Sequence, residues 1–253
     1  MIGIFDSGSG GLTVLKAIRE RLPSVDVVYF GDIKNAPYGV KSQSELSTLT
    51  FAAFRRLIAA GATSVVSACN SASTALAVSL LDAGDISPER VIEMVGPTVR
   101  ALRHTDADIL LTATPATIES GAYQNAFSMV GKKIKTLAFA DLGRAIEFGA
   151  PEEEIERIIR EGFDGVPAGS FRILVLACTH YPLMLPVFER VLGDGVLIFD
   201  PADAVAERVE REWWPREAGN GKTRFIISRD SEPFRRFASK TMGTGAYSIE
   251  VLE

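Results

Sequence analysis

Val65-Val66-Ser67-Ala68-Cys69-Asn70-Ser71 is an apolar run that ends in Ala-Cys and a small polar residue, and Leu174-Val175-Leu176-Ala177-Cys178-Thr179-His180 repeats the pattern in the second half of the chain. A short β-branched run bounded by small polar residues reads as a buried strand. Upstream of each copy stands another such run with a small-residue turn after it. In the first half, residues 2–5 lead into Asp6-Ser7-Gly8-Ser9-Gly10-Gly11; in the second, residues 109–112 lead into Ala113-Thr114-Pro115-Ala116-Thr117. A unit that occurs twice predicts two similar domains facing each other across a cleft.

The alternation of strand and helix continues almost from end to end. Strands are expected at 27–30, 64–67, 91–95, 134–138, 173–176 and 196–199, with helices over 11–22, 42–60, 71–81, 99–104 and 152–161. Strands separated by helices of this length need βαβ crossovers, so the fold class is α/β with parallel sheets. In such sheets ligands sit beyond the carboxyl ends of the strands. Both cysteines are placed at such ends.

The chain of 253 residues is long enough for one large or two small domains. Its net charge of −5 argues against a general nucleic-acid binder, which carries a basic face. No apolar stretch is long enough to span a membrane. The opening residues lack the basic and apolar regions of a signal peptide, so the expected location is the cytoplasm. A reducing compartment disfavours a disulfide between the two cysteines and leaves buried inert side chains or working thiols.

A thiol at a strand end, with the N-terminus of a helix just beyond it, is set to have a lowered pKa. Asn70 and Ser71 after one thiol, and Thr179 after the other, add neutral hydrogen-bonding groups suited to a carboxylate. His180, two residues past Cys178, reads either as a proton partner of that thiol or as a satisfied structural histidine. His104 reads as a surface residue. Asp6 either caps a helix beside a tight glycine turn or faces the cleft, there to hold an ammonium or partner a thiol. The glycine turn is not a dinucleotide fingerprint, because Thr13 stands where a glycine is needed, and it lacks the Gly-Lys-Ser/Thr of a P-loop. A phosphatase loop would need arginine where Ala75 or Met184 stands. No metal site is expected.

Ile4-Phe5-Asp6-Ser7-Gly8 with Gly10-Gly11-Leu12, then Gly31-Asp32, Pro37-Tyr38-Gly39 and Lys41-Ser42, together resemble the opening of glutamate racemases. Ala68-Cys69-Asn70-Ser71-Ala72 resembles the family's first cysteine motif, and Cys178-Thr179-His180-Tyr181-Pro182-Leu183 its second. The resemblance implies two pseudo-symmetric αβα domains, residues 1–96 plus 207–253 and residues 97–206, with the active site in the cleft. Residues 223–236 then return to the first domain. It implies cofactor-independent interconversion of L- and D-glutamate, supplying D-glutamate for peptidoglycan. Cys69 would serve the D-face with help from Asp6, and Cys178 the L-face with help from His180. Ser7, Asn70, Ser71, Thr117 and Thr179 would hold the ammonium and α-carboxylate, with Pro37, Tyr38 and Gly39 near the side-chain carboxylate. The implied partner is a small amino acid, with a homodimer common among relatives.

The sequence departs from that pattern at Ser71, where the family usually has threonine, and in Thr114-Pro115-Ala116-Thr117, an imperfect copy of its Gly-Thr loop. The larger departure is residues 137–149, where the family carries Cys-Pro and Val-Pro before a pair of glutamates. Glu147 is carried over from that segment as a helper of His180. Arg144 is an added charge that faces either solvent or substrate. An aspartate, hydantoin or other amino-acid racemase, and an idle binding protein that kept the cleft, are the competing readings.

Overall fold

The computed structural model describes residues 1–76, 86–243 and 245–252. Among the described residues ten strands are present: β1 Ile2–Asp6, β2 Val27–Gly31, β3 Ser64–Ser67, β4 Val91–Ile92, β5 Ile109–Ala113, β6 Lys135–Ala138, β7 Ile173–Ala177, β8 Leu197–Phe199, β9 Thr223–Ile227 and β10 Tyr247–Val251. They form two parallel sheets, ordered β10-β9-β2-β1-β3-β4 and β6-β5-β7-β8. The two-sheet α/β architecture expected from the repeat is therefore the one observed.

Burial on both faces explains the uninterrupted apolar runs. Ile2 and Ile4 of β1 point into one core layer and Phe5 into the other. Leu174 and Leu176 of β7 likewise face one layer while Ile173, Val175 and Ala177 face the opposite one. In the first sheet the chain leaves β1 for β2 on one side and β3 on the other; in the second it leaves β5 for β6 and β7. The strand order thus reverses at β1/β3 and at β5/β7, and such switch points open a crevice at the carboxyl ends. Cys69 follows β3 and Cys178 follows β7, so each thiol stands at its sheet's crevice.

Several boundaries differ from expectation. The strand expected over 91–95 stops at Ile92, and a helix Val95–Leu102 begins where strand was foreseen. Glu93 causes this: its carboxylate accepts the N–H groups of Val95 at 2.5 Å and Gly96 at 2.9 Å, satisfying the first orphan donors of the helix. The helix after Cys69 is Asn70–Thr74, and residues 77–81 of the longer helix expected there lie outside the described residues. β9 pairs with β2 and β10 with β9, extending the first sheet. Ala202, Val205, Ala206, Val209 and Trp213, all on the helix Ala202–Trp213, join the first sheet's core, so the expected division at 206/207 falls inside one helix. Among the described residues no helix is long and apolar enough to cross a membrane.

Candidate active site between the two sheets

The glycine-rich turn after β1 is where the two halves meet. A Cβ on Gly8 would lie 2.6 Å from the Glu147 carboxylate, and one on Gly10 only 2.4 Å from Thr179 Oγ1 and 2.8 Å from His180 Nδ1. These glycines admit side chains of the second half against the backbone of the first, a close approach that any larger residue would block. Asp6 does not cap the following helix: its Oδ1 accepts the Gly8 N–H at 2.9 Å, and its Oδ2 accepts the Thr179 hydroxyl across the cleft at 2.9 Å.

Around Cys178 the polar groups form a chain. The thiol lies 3.8 Å from His180 Nδ1, and His180 Nε2 lies 2.6 Å from Glu147 Oε2. That same oxygen accepts the Ser9 N–H at 2.8 Å and the Ser9 hydroxyl at 2.7 Å. Glu147 and His180 are both buried. For His180, burial opposes a charge, yet the Cys178 contact and the Glu147 carboxylate outweigh it and raise its pKa well above the ordinary range. For Glu147, burial likewise opposes ionisation, and the bonds from His180 and Ser9 outweigh it, holding its pKa low. Both directions favour an imidazolium facing a carboxylate.

Around Cys69 the balance is the reverse. Its thiol donates to Ser7 Oγ at 3.7 Å, but burial and then the charge of Asp6 push its pKa up to about 12. The helix N-terminus expected to lower that pKa supplies only the Ala72 N–H, and desolvation wins over it. Asp6 is fully buried, and burial raises its pKa despite the nearby imidazolium and its two hydrogen bonds. The two thiols therefore sit in unlike electrostatic settings.

Both thiols line one cavity of about 40 Å³ between the sheets, room for no more than a few waters. Ser7, Pro37, Tyr38, Gly39, Asn70, Ser71, Glu147, Thr179 and His180 share its wall. Two expected site residues stand behind the wall instead. Asp6 is covered by Thr179, and Thr117 lies under a cluster in which the Ser71, Thr114 and Thr117 hydroxyls are 2.8, 3.2 and 3.1 Å apart. Thr114, not Thr117, faces the cavity, because Pro115 starts a helix there and turns Thr117 inward.

Sequence reasoning did not foresee Ser9 or Tyr123. The Tyr123 hydroxyl donates to Asn70 Oδ1 at 2.6 Å, which fixes the amide orientation and leaves Asn70 Nδ2 buried without a partner among the described residues. A buried unpaired donor in a cavity wall suits a ligand acceptor. Tyr38 donates to Asp32 at 2.7 Å, and the Ala116 N–H donates to the Gly39 carbonyl at 2.9 Å, joining the two halves on that side. Arg144 lies exposed at the rim. His104 is on the surface, as expected.

Two thiols, one from each half, line one cavity together with hydroxyl and amide groups, an arrangement suited to proton exchange with a single carbon. Comparison with known proteins gives that chemistry a lineage. Residues 3–209 match the family model described as Asp/Glu/Hydantoin racemase. A glutamate racemase from Cereibacter sphaeroides is 36% identical over 250 residues, covering 90% of this chain and 92% of that protein. A glutamate racemase isoform from Bacillus anthracis superposes with a TM-score of 0.89 at 27% identity, covering 100% of this chain and 97% of the other. The structure of glutamate racemase from Francisella tularensis in complex with D-glutamate superposes at 0.87 with 25% identity over 100% and 97% of the two chains. The chain belongs to the Asp/Glu/Hydantoin racemase family.

Proposed function

We propose that this protein interconverts L- and D-glutamate by proton transfer at Cα, with Cys69 on the D-face and Cys178 on the L-face, supplying D-glutamate for peptidoglycan in the cytoplasm. The observation that carries the reading is the pair of buried thiols on opposite halves of one cavity. Inversion needs a base on one face and an acid on the other, and the unlike settings of the thiols supply them. Cys69, pushed up to about 12, rests as the proton donor. Cys178 lies 3.8 Å from His180 Nδ1, and Glu147 supports the charged form of that imidazole. In the L-to-D direction Cys178 takes the α-proton and Cys69 delivers one to the other face. In the return direction Asp6, its proton affinity raised by burial, is the acceptor that helps Cys69 act as base.

The α-proton is weakly acidic, so the developing carbanion needs preorganised donors in a dry site. In this reading Asn70 Nδ2 and the Ser7, Ser71, Thr114 and Thr179 hydroxyls receive the α-carboxylate and ammonium, with Thr117 behind that cluster. Pro37, Tyr38 and Gly39 flank the side-chain end. Parting of the two halves would gate entry to and release from this cavity of about 40 Å³. We take those halves as two domains, with the helix Ala202–Trp213 kept whole in the first.

The test is L-glutamate in D₂O, following optical rotation and α-deuterium together. Loss of rotation with deuterium in the product supports the reading; unchanged rotation and no deuterium overturn it. Cys69→Ala and Cys178→Ala should each reduce racemisation by at least ~10²–10⁴-fold.

A further inference from the structure

We infer that Arg144 selects substrates carrying a second carboxylate, an inference that rests on the racemase reading above. The cavity region already contains the buried carboxylates of Asp6 and Glu147, and the charge of His180 is committed to Glu147 at 2.6 Å. A dicarboxylic amino acid brings one more negative charge than an uncharged-side-chain analogue. Among the cavity-lining residues only His180 and Arg144 carry cationic side chains. Among the described residues of the cavity wall, Arg144 is thus the one cation left to balance that charge.

Its position fits the task. Arg144 lines both the buried cavity and an adjoining open groove of about 730 Å³, so it stands where the two meet. Its groove neighbour Arg157 is held by Glu161 at 2.8 Å, whereas Arg144 has no ion-pair partner among the described residues. Beside it, Gly143 presents no side chain, and a Cβ there would touch only Cys178 Sγ, at 3.6 Å. That leaves space over the thiol into which a guanidinium can swing. Tyr38 and Gly39 lie in the wall contributed by the first half, so Arg144 supplies an opposing contact from the second. A planar guanidinium matches a carboxylate bidentately, which lysine does not.

The experiment compares wild type, Arg144→Ala and Arg144→Lys on L-glutamate and on its neutral isostere L-glutamine. Binding is read separately, as protection of the cavity thiols from iodoacetamide by glutarate and by butyrate. Arg144→Ala should raise KM for glutamate by roughly tenfold with kcat changed less than about twofold, and Arg144→Lys should recover part of it. Glutarate should protect the wild type better than butyrate does, and Arg144→Ala should erase that preference. An unchanged KM and an unchanged preference overturn the inference, as does an equal loss on both substrates. A wild type that prefers glutarate but does not racemise glutamate overturns the racemase reading and leaves the role of Arg144 supported.

Discussion

The Glu147 carboxylate lies 2.6 Å from His180 Nε2 and, through the same oxygen, accepts both the N–H and the hydroxyl of Ser9 from the other half of the molecule. One carboxylate therefore sets the charge on the imidazole and ties it to the glycine turn. The pair's pKa directions define a pH window. His180 is raised above 6.5, so its contribution to stability is fully present below 6.5 and is lost as pH rises through its folded value. Glu147 is lowered below 4.5, so its contribution is fully present above 4.5 and is lost as pH falls through its folded value. The stability difference between wild type and Glu147→Gln should peak between 4.5 and 6.5, measured by thermal melts across pH. The same variant should lose roughly 10²-fold in kcat and shift the alkaline limb of its rate profile to lower pH. A limb that stays in place would show that Glu147 does not govern the imidazole charge.

Asp6 is the second cause, after burial, of the high pKa of Cys69. Asp6→Asn should therefore lower the pH at which that thiol is alkylated. The measurement is the pH dependence of iodoacetamide modification in a Cys178→Ser background, with and without the Asp6 change. Racemisation should fall as well, because the proton acceptor proposed for Cys69 is gone.

Gly10→Ala places a methyl group 2.4 Å from Thr179 Oγ1 and 2.8 Å from His180 Nδ1. Neither side chain has room to retreat, since Thr179 is bonded to Asp6 and His180 to Glu147. The expected cost is about 1–3 kcal/mol of stability, with activity close to zero. Near-normal turnover with a normal melting temperature would contradict the closed geometry described here.

Tyr123→Phe removes the hydroxyl that fills Asn70 Oδ1 at 2.6 Å. Leaving that buried acceptor unpaired should cost about 1–3 kcal/mol. The amide is then free to turn, so KM for glutamate should rise more than kcat falls. Denaturant titration and steady-state kinetics read the two effects separately.

The strands were legible because their signal is local. The apolar runs at β3 and β7 are covered on both faces and read directly as buried strands, each ending just before its cysteine. The glycines at 8 and 10 were visible too, but as a tight turn; their purpose, making room for Glu147, Thr179 and His180, depends on residues far along the chain. Ser9 was missed for the same reason, since its partner Glu147 lies 138 positions away and a serine in a glycine turn carries no distinguishing mark. Thr117 was expected in the wall and Thr114 was not, because a one-turn difference in where a short helix starts decides which hydroxyl faces the cavity.

The α/β class, the doubled unit and a thiol at each strand end could all be read along the chain, because backbone periodicity and side-chain burial repeat over a few residues. Packing between the two halves is what pushes Cys69 up to about 12 and raises His180 well above its ordinary range. Those outcomes depend on desolvation and on charges a few ångströms away in a water-poor cleft, and in this protein the groups that supply them come from opposite halves of the chain.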